Sequence, residues 1–471
     1  MKDTIIIGAG IAGLSAGYEL FKDNIDFQIL ETSDKVGGNI ETLKVGDYLI
    51  ETGPNVFSST NHEILKLISD LGIEENLIEA NKDSKKRYVY LNNKLISLPT
   101  GLREFYNSEI LSKDGKWTLF EELFIEKELN EESVEDFFTR RFGREALKNI
   151  IQPYLNGIYA GDIKKLSANA VFPKLKELEN KYKSIILGSI LSNQFKNSFK
   201  NLTLYSFNEG LEFLSKEIYK NLKNKITLSV KDIEISKAKD FFIVTFKVNN
   251  KPISYTTNSI LFAIPAYRIP DFGYTLQKNL VQNIAQIEYA PIATATQVVE
   301  KSKIKQELDA FGFLCTREPQ RKLLGTIWTS SIFPNRAPEN KALLTSYIGG
   351  AHFKKITNQT EEEIKSLVTK EVAESLNISD PSSIETLHIK VHQYAIPQYN
   401  IGHLGIVKQI EESMNKSTGL FFTGNYLYGI SINDTIKTSK LVVKKIKQFV
   451  SSIRIEGIDL KSNKLNQEEL V

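Results

Sequence analysis

The chain has 471 residues, 41% hydrophobic and 25% charged, with a formal charge of +3. That length holds two or three domains, and the profile is that of a soluble globular protein. The charge is too near neutral for a nucleic-acid partner. One cysteine, Cys315, excludes an intrachain disulfide framework, and the five histidines are scattered rather than clustered at metal spacing. The N-terminal apolar run is short and follows Asp3, so it does not read as a signal peptide. No run of about 18 apolar residues predicts a transmembrane helix.

In chain order, Thr4–Ile7 reads as a buried strand rich in β-branched residues. Gly8-Ala9-Gly10-Ile11-Ala12-Gly13 follows as G-x-G-x-x-G, then a helical pattern with Leu14, Tyr18 and Phe21. A second strand, Phe27–Leu30, ends at Glu31 and Thr32. Strand, glycines, helix, strand and acid in that order form a dinucleotide fingerprint. Its glycines serve the tight turn, the pyrophosphate approach and helix–sheet packing. The helix start offers N–H groups and partial positive charge to phosphates. Glu31 can accept from ribose hydroxyls.

Asn61–Leu71 repeats at helical spacing, Arg87–Leu98 reads as a hairpin, and residues 104–200 are largely helical by period. Two apolar stripes, Phe120/Leu123/Phe124 and Val134/Phe137/Phe138, read as core. Pro153–Asp162, with one proline and two glycines, reads as a shaped turn between helices. Ile226–Val230, Ile233–Ile235 and Phe242–Val248 read as antiparallel strands, and Ser259–Ala266 as a buried strand returning to the first sheet. Ala290–Gly350 is mostly strand-like, Lys365–Leu376 an amphipathic helix, and Ile396–Tyr399 a loop. Gly419–Asn425 is strand then turn, a helix through Val450 follows, and the polar tail after Glu456 reads as loose.

The segment after Glu31, ending in Gly37-Gly38-Asn39, resembles the E-x-x-x-x-x-G-G stretch of amine-oxidase-like flavoproteins, many of which carry Arg where Asn39 stands. Glu51-Thr52-Gly53-Pro54-Asn55-Val56-Phe57 is similar to the stretch that runs beside the isoalloxazine ring in that superfamily. Longer motifs narrow the resemblance. They are Leu98-Pro99-Thr100-Gly101-Leu102-Arg103, Gly157–Asp162, Leu324–Ile327 with Ser330–Pro338, Tyr347–Gly350, Ala395–Tyr399 with Gly402-His403, and Gly424-Asn425 through Asn433-Asp434. Together they resemble the oxygen-dependent protoporphyrinogen oxidases, a family that includes bacterial coproporphyrinogen oxidases.

The resemblance implies an α/β fold: a discontinuous Rossmann-type FAD-binding domain (residues 1–85, 205–265 and 403–450), a mixed α+β substrate domain (86–93, 180–204 and 266–402), a helical subdomain (94–179) and a C-terminal tail (451–471). It implies FAD as cofactor, held by Gly8 to Gly13, Glu31, Thr32, Gly38, Asn39, Gly53, Pro54, Asn55, Val56, Val230, Asn425, Ile430, Ser431 and Ile432. It implies that a porphyrinogen loses six electrons in three hydride transfers to flavin, with O2 as acceptor. Protoporphyrinogen IX is the expected substrate and coproporphyrinogen III the alternative, ahead of another amine-oxidase-like flavoenzyme. Positioning the flat macrocycle supplies much of the acceleration and the cofactor carries the chemistry, so no side chain is assigned as acid or base. By the same resemblance Arg103 pairs with a propionate, Phe311 and Leu314 sandwich pyrrole rings, and Gly312 leaves the macrocycle room. Cys315 and His403 read as structural. The expected location is the cytoplasm. Peripheral contact with the inner face of the cell membrane, a ferrochelatase partner and a homodimer are further expectations.

Overall fold

The computed structural model describes the backbone of all residues except 60–61, 193–202, 274, 319, 416–417 and 469–471, and describes no side chains for residues 83–84, 102 and 455–468. Two seven-stranded sheets organise it. In the first, Lys2–Ile7 lies between Phe27–Leu30 and Lys251–Phe262, all parallel; Ile226–Thr227 extends the sheet on one side and Leu420–Phe422 on the other. Phe242–Val248 and Lys231–Lys237 add an antiparallel flap to the long strand Lys251–Phe262. The parallel strands are largely buried on both faces, which accounts for their mostly apolar runs. The reading of Ile226–Val230 as antiparallel is corrected here: Ile226 and Thr227 pair in parallel with Ile29 and Leu30. The helix Glu212–Leu222 precedes them and delivers the chain to this edge of the sheet, so direction follows from the connection and not from strand composition.

The second sheet runs Glu385–Pro397, Tyr289–Glu300, Lys341–Gly349, Leu323–Ile327, Gly312–Cys315, Tyr88–Leu91, Lys94–Ser97. All its pairings are antiparallel except that of Gly312–Cys315 with Tyr88–Leu91. Helix Glu361–Ser375, started by a Thr360/Glu363 capping box, packs Ile364, Val368 and Val372 into this sheet's core. The hairpin Tyr88–Ser97 belongs wholly to this sheet, so a division between residues 93 and 94 cuts through it. Ala266, Ile269, Phe272, Leu276, Leu280, Ile284 and Ile287 pack into the core of the first sheet, and Ile185 into the helical core. Proline stays in strand at Ile396-Pro397, and the loop begins only at Gln398.

The helical segment is fastened from within. Arg141 is fully buried and donates to Glu179 at 2.6 Å and Glu122 at 3.2 Å; Arg140 and Lys176 complete the network. Glu122 also accepts from Ile185 N at 2.7 Å, capping the helix Ile185–Leu191. Three expectations fail here. The stripe Phe120/Leu123/Phe124 is not core: Phe120 is 61% and Phe124 86% exposed, whereas Phe137 is fully buried. Helix Lys113–Glu121 turns Gly115 inward against Glu145, which leaves its aromatic face outside. Gln152–Ile158 is helix, not turn, because Pro153 falls in the first helical turn, where no N–H is needed; only Ala160–Asp162 turns. Beyond Glu456 the last helix continues to Glu468, a stretch without Gly or Pro after Gly457.

Candidate functional site

The carboxyl ends of the parallel strands lie level. Gly8 N donates to Leu30 O, Ala263 N to Ile7 O, Thr423 N to Phe262 O and Glu31 N to Thr227 O, all at 2.8–3.0 Å. The chain therefore leaves the sheet at one edge at Gly8, Glu31, Ala263 and Thr423, the place where open parallel sheets bind ligands.

At that edge the glycine loop is tightly specified. Gly8 has φ +103°, and a Cβ on Gly13 would lie 1.9 Å from Gly8 O, so helix Ile11–Lys22 sits directly on the turn. Gly10 differs: its Cβ would meet only Gly38 Cα, at 4.0 Å. Gly37 N donates to Ala9 O at 2.9 Å, bringing the second glycine pair alongside the first. The helix start has no side-chain cap and no acid in its first turn. Two facing glycine backbones and an uncapped helix start form a cradle that a methyl group on either would begin to fill. The residues fit a dinucleotide pyrophosphate.

Glu31 accepts from Ala9 N at 2.6 Å and Ser33 N at 2.9 Å, and Thr32 Oγ1 lies 3.3 Å from it. Val230 is buried beside it, its N–H donated to Glu31 O at 2.9 Å. The carboxylate thus ties the glycine loop to the second strand while staying partly exposed for a ribose. Ile11, Gly38, Asn39, Gly53, Pro54, Val56, Asn425, Ile430, Ser431 and Ile432 are likewise partly or fully exposed, flanked by buried Ala12, Ile40, Asn55, Tyr426 and Asn433. They mark a groove running from the cradle to the start of the last helix.

Two contacts shape that groove. A Cβ on Gly53 would lie 2.1 Å from Asn39 O, so the Glu51–Val56 segment is pressed against the second glycine loop. At the far end, Asn433 Nδ2 donates to Ser58 O at 2.6 Å, and Ser431 Oγ accepts from Asp434 N at 3.1 Å, capping the helix that begins at Ile432. Asn55 Oδ1 is buried with no donor among the described residues. An orphaned acceptor in the groove wall is what a missing N–H-bearing ligand would leave.

The predicted substrate residues are placed separately. Phe311 is half-buried, with the Arg87 guanidinium stacked 4.1 Å over its ring; burial lowers the Arg87 pKa to about 10. A Cβ on Gly312 would lie 2.1 Å from Thr326 O, so the neighbouring strand by itself demands glycine there. Leu314 reaches toward Gly157 of the helical segment, where a Cβ would lie 2.5 Å from its Cδ2. Phe313 is core, between Tyr90 and Trp328. Arg103 lies beyond the edge strand Lys94–Ser97, on the short helix Leu102–Asn107, exposed and without an ion pair among the described residues.

Neither Cys315, His403 nor His392 is free for catalysis. Cys315 is buried and its pKa is pushed up to about 12. His403 stacks on Tyr399 at 4.1 Å, and burial lowers its pKa to about 4. His392 Nε2 meets Thr52 O at 2.8 Å. Tyr399 donates to Asn425 O at 2.6 Å and accepts from Gly429 N at 2.9 Å, so its phenol is a strut rather than part of an aromatic cage. Sequence reasoning missed Glu51, buried and raised to about 7 by desolvation, and the bond from Asn55 to Tyr347. An acid inside the apolar-flanked Leu49-Ile50-Glu51 was the available signal for the first. Nothing local signals the second.

A profile described as "Flavin containing amine oxidoreductase" matches residues 11–447. The chain belongs to that family. As a flavin-containing amine oxidoreductase it is an FAD-dependent oxidoreductase. The chloroplastic protoporphyrinogen oxidase of Nicotiana tabacum is 30% identical, covering 95% of this chain and 86% of its own. Coproporphyrinogen III oxidase of Bacillus subtilis (strain 168) is 27% identical, covering 96% and 99%. A crystal structure from Exiguobacterium sp. 255-15, carrying a provisional protoporphyrinogen oxidase name, superposes with a TM-score of 0.79 at 20% identity, covering 95% and 99%; it shares the fold.

Proposed function

We propose that this flavin-containing amine oxidoreductase oxidises a porphyrinogen to the porphyrin, with protoporphyrinogen IX as substrate and O2 as acceptor. The observation that carries the reading is the 30% identity to the tobacco enzyme, which extends over 95% of the chain and so spans both sheets and the helical segment. Bound FAD supplies the two-electron acceptor for each of three steps. Gly10 and Gly38 hold its phosphates, Glu31 its ribose, and the segment Gly53–Val56 with Ile430–Ile432 its ring end. The chain positions the substrate: Phe311 and Leu314 offer apolar surface, and Arg103 offers an exposed guanidinium to a carboxylate. Coproporphyrinogen III is the second reading, supported by the match to 99% of the Bacillus protein.

The test is side-by-side turnover of the two porphyrinogens followed by porphyrin fluorescence. Arg103→Ala should retain FAD and raise KM about tenfold or more, the worth of a lost charge-assisted bond. Unchanged kinetics would remove Arg103 from the site. Among the described residues no helix is long and apolar enough to cross a membrane. Tyr106, Trp117, Phe120 and Phe124 nonetheless expose aromatic rings on one segment of the helical part, which supports a peripheral lipid contact there. Co-flotation with anionic vesicles, lost in Trp117→Ser/Phe124→Ser, checks it.

A further inference from the structure

Glu41 lies two residues beyond the second glycine loop, Gly37-Gly38-Asn39, and is 9% exposed. Three segments reach its carboxylate. Lys35, just before the glycine pair, donates to Oε1. Thr52, just before Gly53, donates its hydroxyl to Oε2 at 2.9 Å. Lys390 donates to Oε2 at 2.8 Å from the second sheet, on strand Glu385–Pro397. Thr52 is itself held at every polar atom: its N–H donates to Glu41 O at 3.0 Å, and its carbonyl accepts from His392 Nε2 at 2.8 Å. Alternate residues of the strand share a face. Lys390 therefore meets Glu41 on the same face from which His392 meets Thr52, and the second sheet is laid along both loops. Burial alone would raise the Glu41 pKa. The bonds from Lys35, Lys390 and Thr52 outweigh it and hold the carboxyl at about 2, so the group stays ionised.

We propose that Glu41 is a positioning residue of the cofactor site: its carboxylate ties the second glycine loop to the Glu51–Val56 segment, and Lys390 ties both to the second sheet, so that the groove keeps its width around FAD. The inference rests on the cofactor assignment and not on the identity of the substrate. A Cβ on Gly53 would lie only 2.1 Å from Asn39 O, so the two loops have no room to move closer, and losing the tie can only part them. The sign of the effect separates this role from plain electrostatics. At most about 10 Å of chain lies between Glu41 and Gly38 of the cradle, so its charge opposes a bound pyrophosphate. On charge alone Glu41→Gln would tighten FAD; as a tie, its loss must loosen it.

The experiment follows release of FAD from the loaded protein, read as rising flavin fluorescence after dilution into FAD-free buffer, with no substrate present. Glu41→Gln should release FAD about tenfold faster, the worth of a bond to a charged group. Thr52→Val and Lys390→Met should each release it severalfold faster, and Lys390→Arg, which keeps the bond, should match the parent. The double variant Glu41→Gln/Lys390→Met should release FAD no faster than Glu41→Gln alone. Slower or unchanged release in Glu41→Gln overturns the proposal. So does a lowered Tm with release unchanged, or rates that multiply in the double variant. If Glu41→Gln does not fold, Thr52→Val carries the test: it removes one hydroxyl bond and no charge, and unchanged release refutes the tie. A protein that shows these changes and oxidises no porphyrinogen would remove the substrate reading alone.

Discussion

Gly10 and Gly312 each lie beside a seven-stranded sheet, and each looks like a place where backbone is bared for a ligand. At Gly10 a methyl would find Gly38 Cα at 4.0 Å and otherwise open groove. At Gly312, with φ +146°, it would lie 2.1 Å from Thr326 O and 2.9 Å from Ile327 Cα. The first glycine keeps space free for something outside the chain; the second lets the chain close on itself. The difference follows from sheet type. Parallel strands all finish at one edge and leave spare N–H groups there, whereas the inner strands of the second sheet use their backbone up in pairing.

The contrast is sharpest in Gly312→Ala. Overpacking against backbone costs about 1–3 kcal/mol, and the positive φ about 1–3 kcal/mol more. Denaturant melts should show a loss of that size, with FAD affinity of the surviving folded protein unchanged. Loss of FAD with stability intact would place a ligand at Gly312 after all.

Glu51 joins the two regions, and its expected effect is somewhat smaller. It accepts from Leu211 N at 2.9 Å and Thr42 Oγ1 at 2.8 Å, with Arg336 and Glu212 as charged neighbours and Tyr347 close by. Desolvation raises its pKa from 4.5 to about 7. A raised carboxyl favours the fold fully below its unfolded pKa, and that contribution is lost as pH rises through the folded pKa. At about 1.4 kcal/mol per unit, this is an order of 2–3 kcal/mol between pH 4.5 and 8. Glu51→Gln has no proton to lose. Its stability relative to the parent should climb across that window and stay flat below it; a difference independent of pH would show that Glu51 does not titrate there.

Gly10→Ala is the mildest change in stability and the most specific in effect. The apo protein should melt within about 0.5 kcal/mol of the parent, as a substitution into open space does. FAD affinity, read by titration of apo protein, should weaken about tenfold or more, about 1.4 kcal/mol. An equal loss of stability would mean that Gly10, like Gly312, is needed by the chain itself.

What could be read from the sequence divides along the same line. Thr4–Ile7, Gly8–Gly13 and Phe27–Glu31 were legible because each requirement lies within a few residues: an apolar run for a buried strand, glycines for a turn, an acid at a strand end. The packing demand at Gly312 was not legible because its neighbour, Thr326, is distant in sequence. Phe120 and Phe124 have the spacing of a buried stripe, yet Gly115 decides which face of that helix turns inward. Pro153 looked like a breaker because its place in the first turn of a helix depends on where the helix before it ends. The Asn55–Tyr347 bond joins residues with no common pattern, and only the fold places them together.

The parallel sheet is completed by Leu420–Phe422, which pairs with Ile260–Phe262. During synthesis the glycine loop is made long before the strand and helix that close the far end of its groove. Until then the edge of Lys251–Phe262 stands unpaired, a template for other chains. Uptake of the yellow pigment therefore reports that synthesis has passed Leu420–Phe422 and the helix after it. A product cut short before Leu420 should emerge from the ribosome colourless and prone to aggregate, however intact its fingerprint.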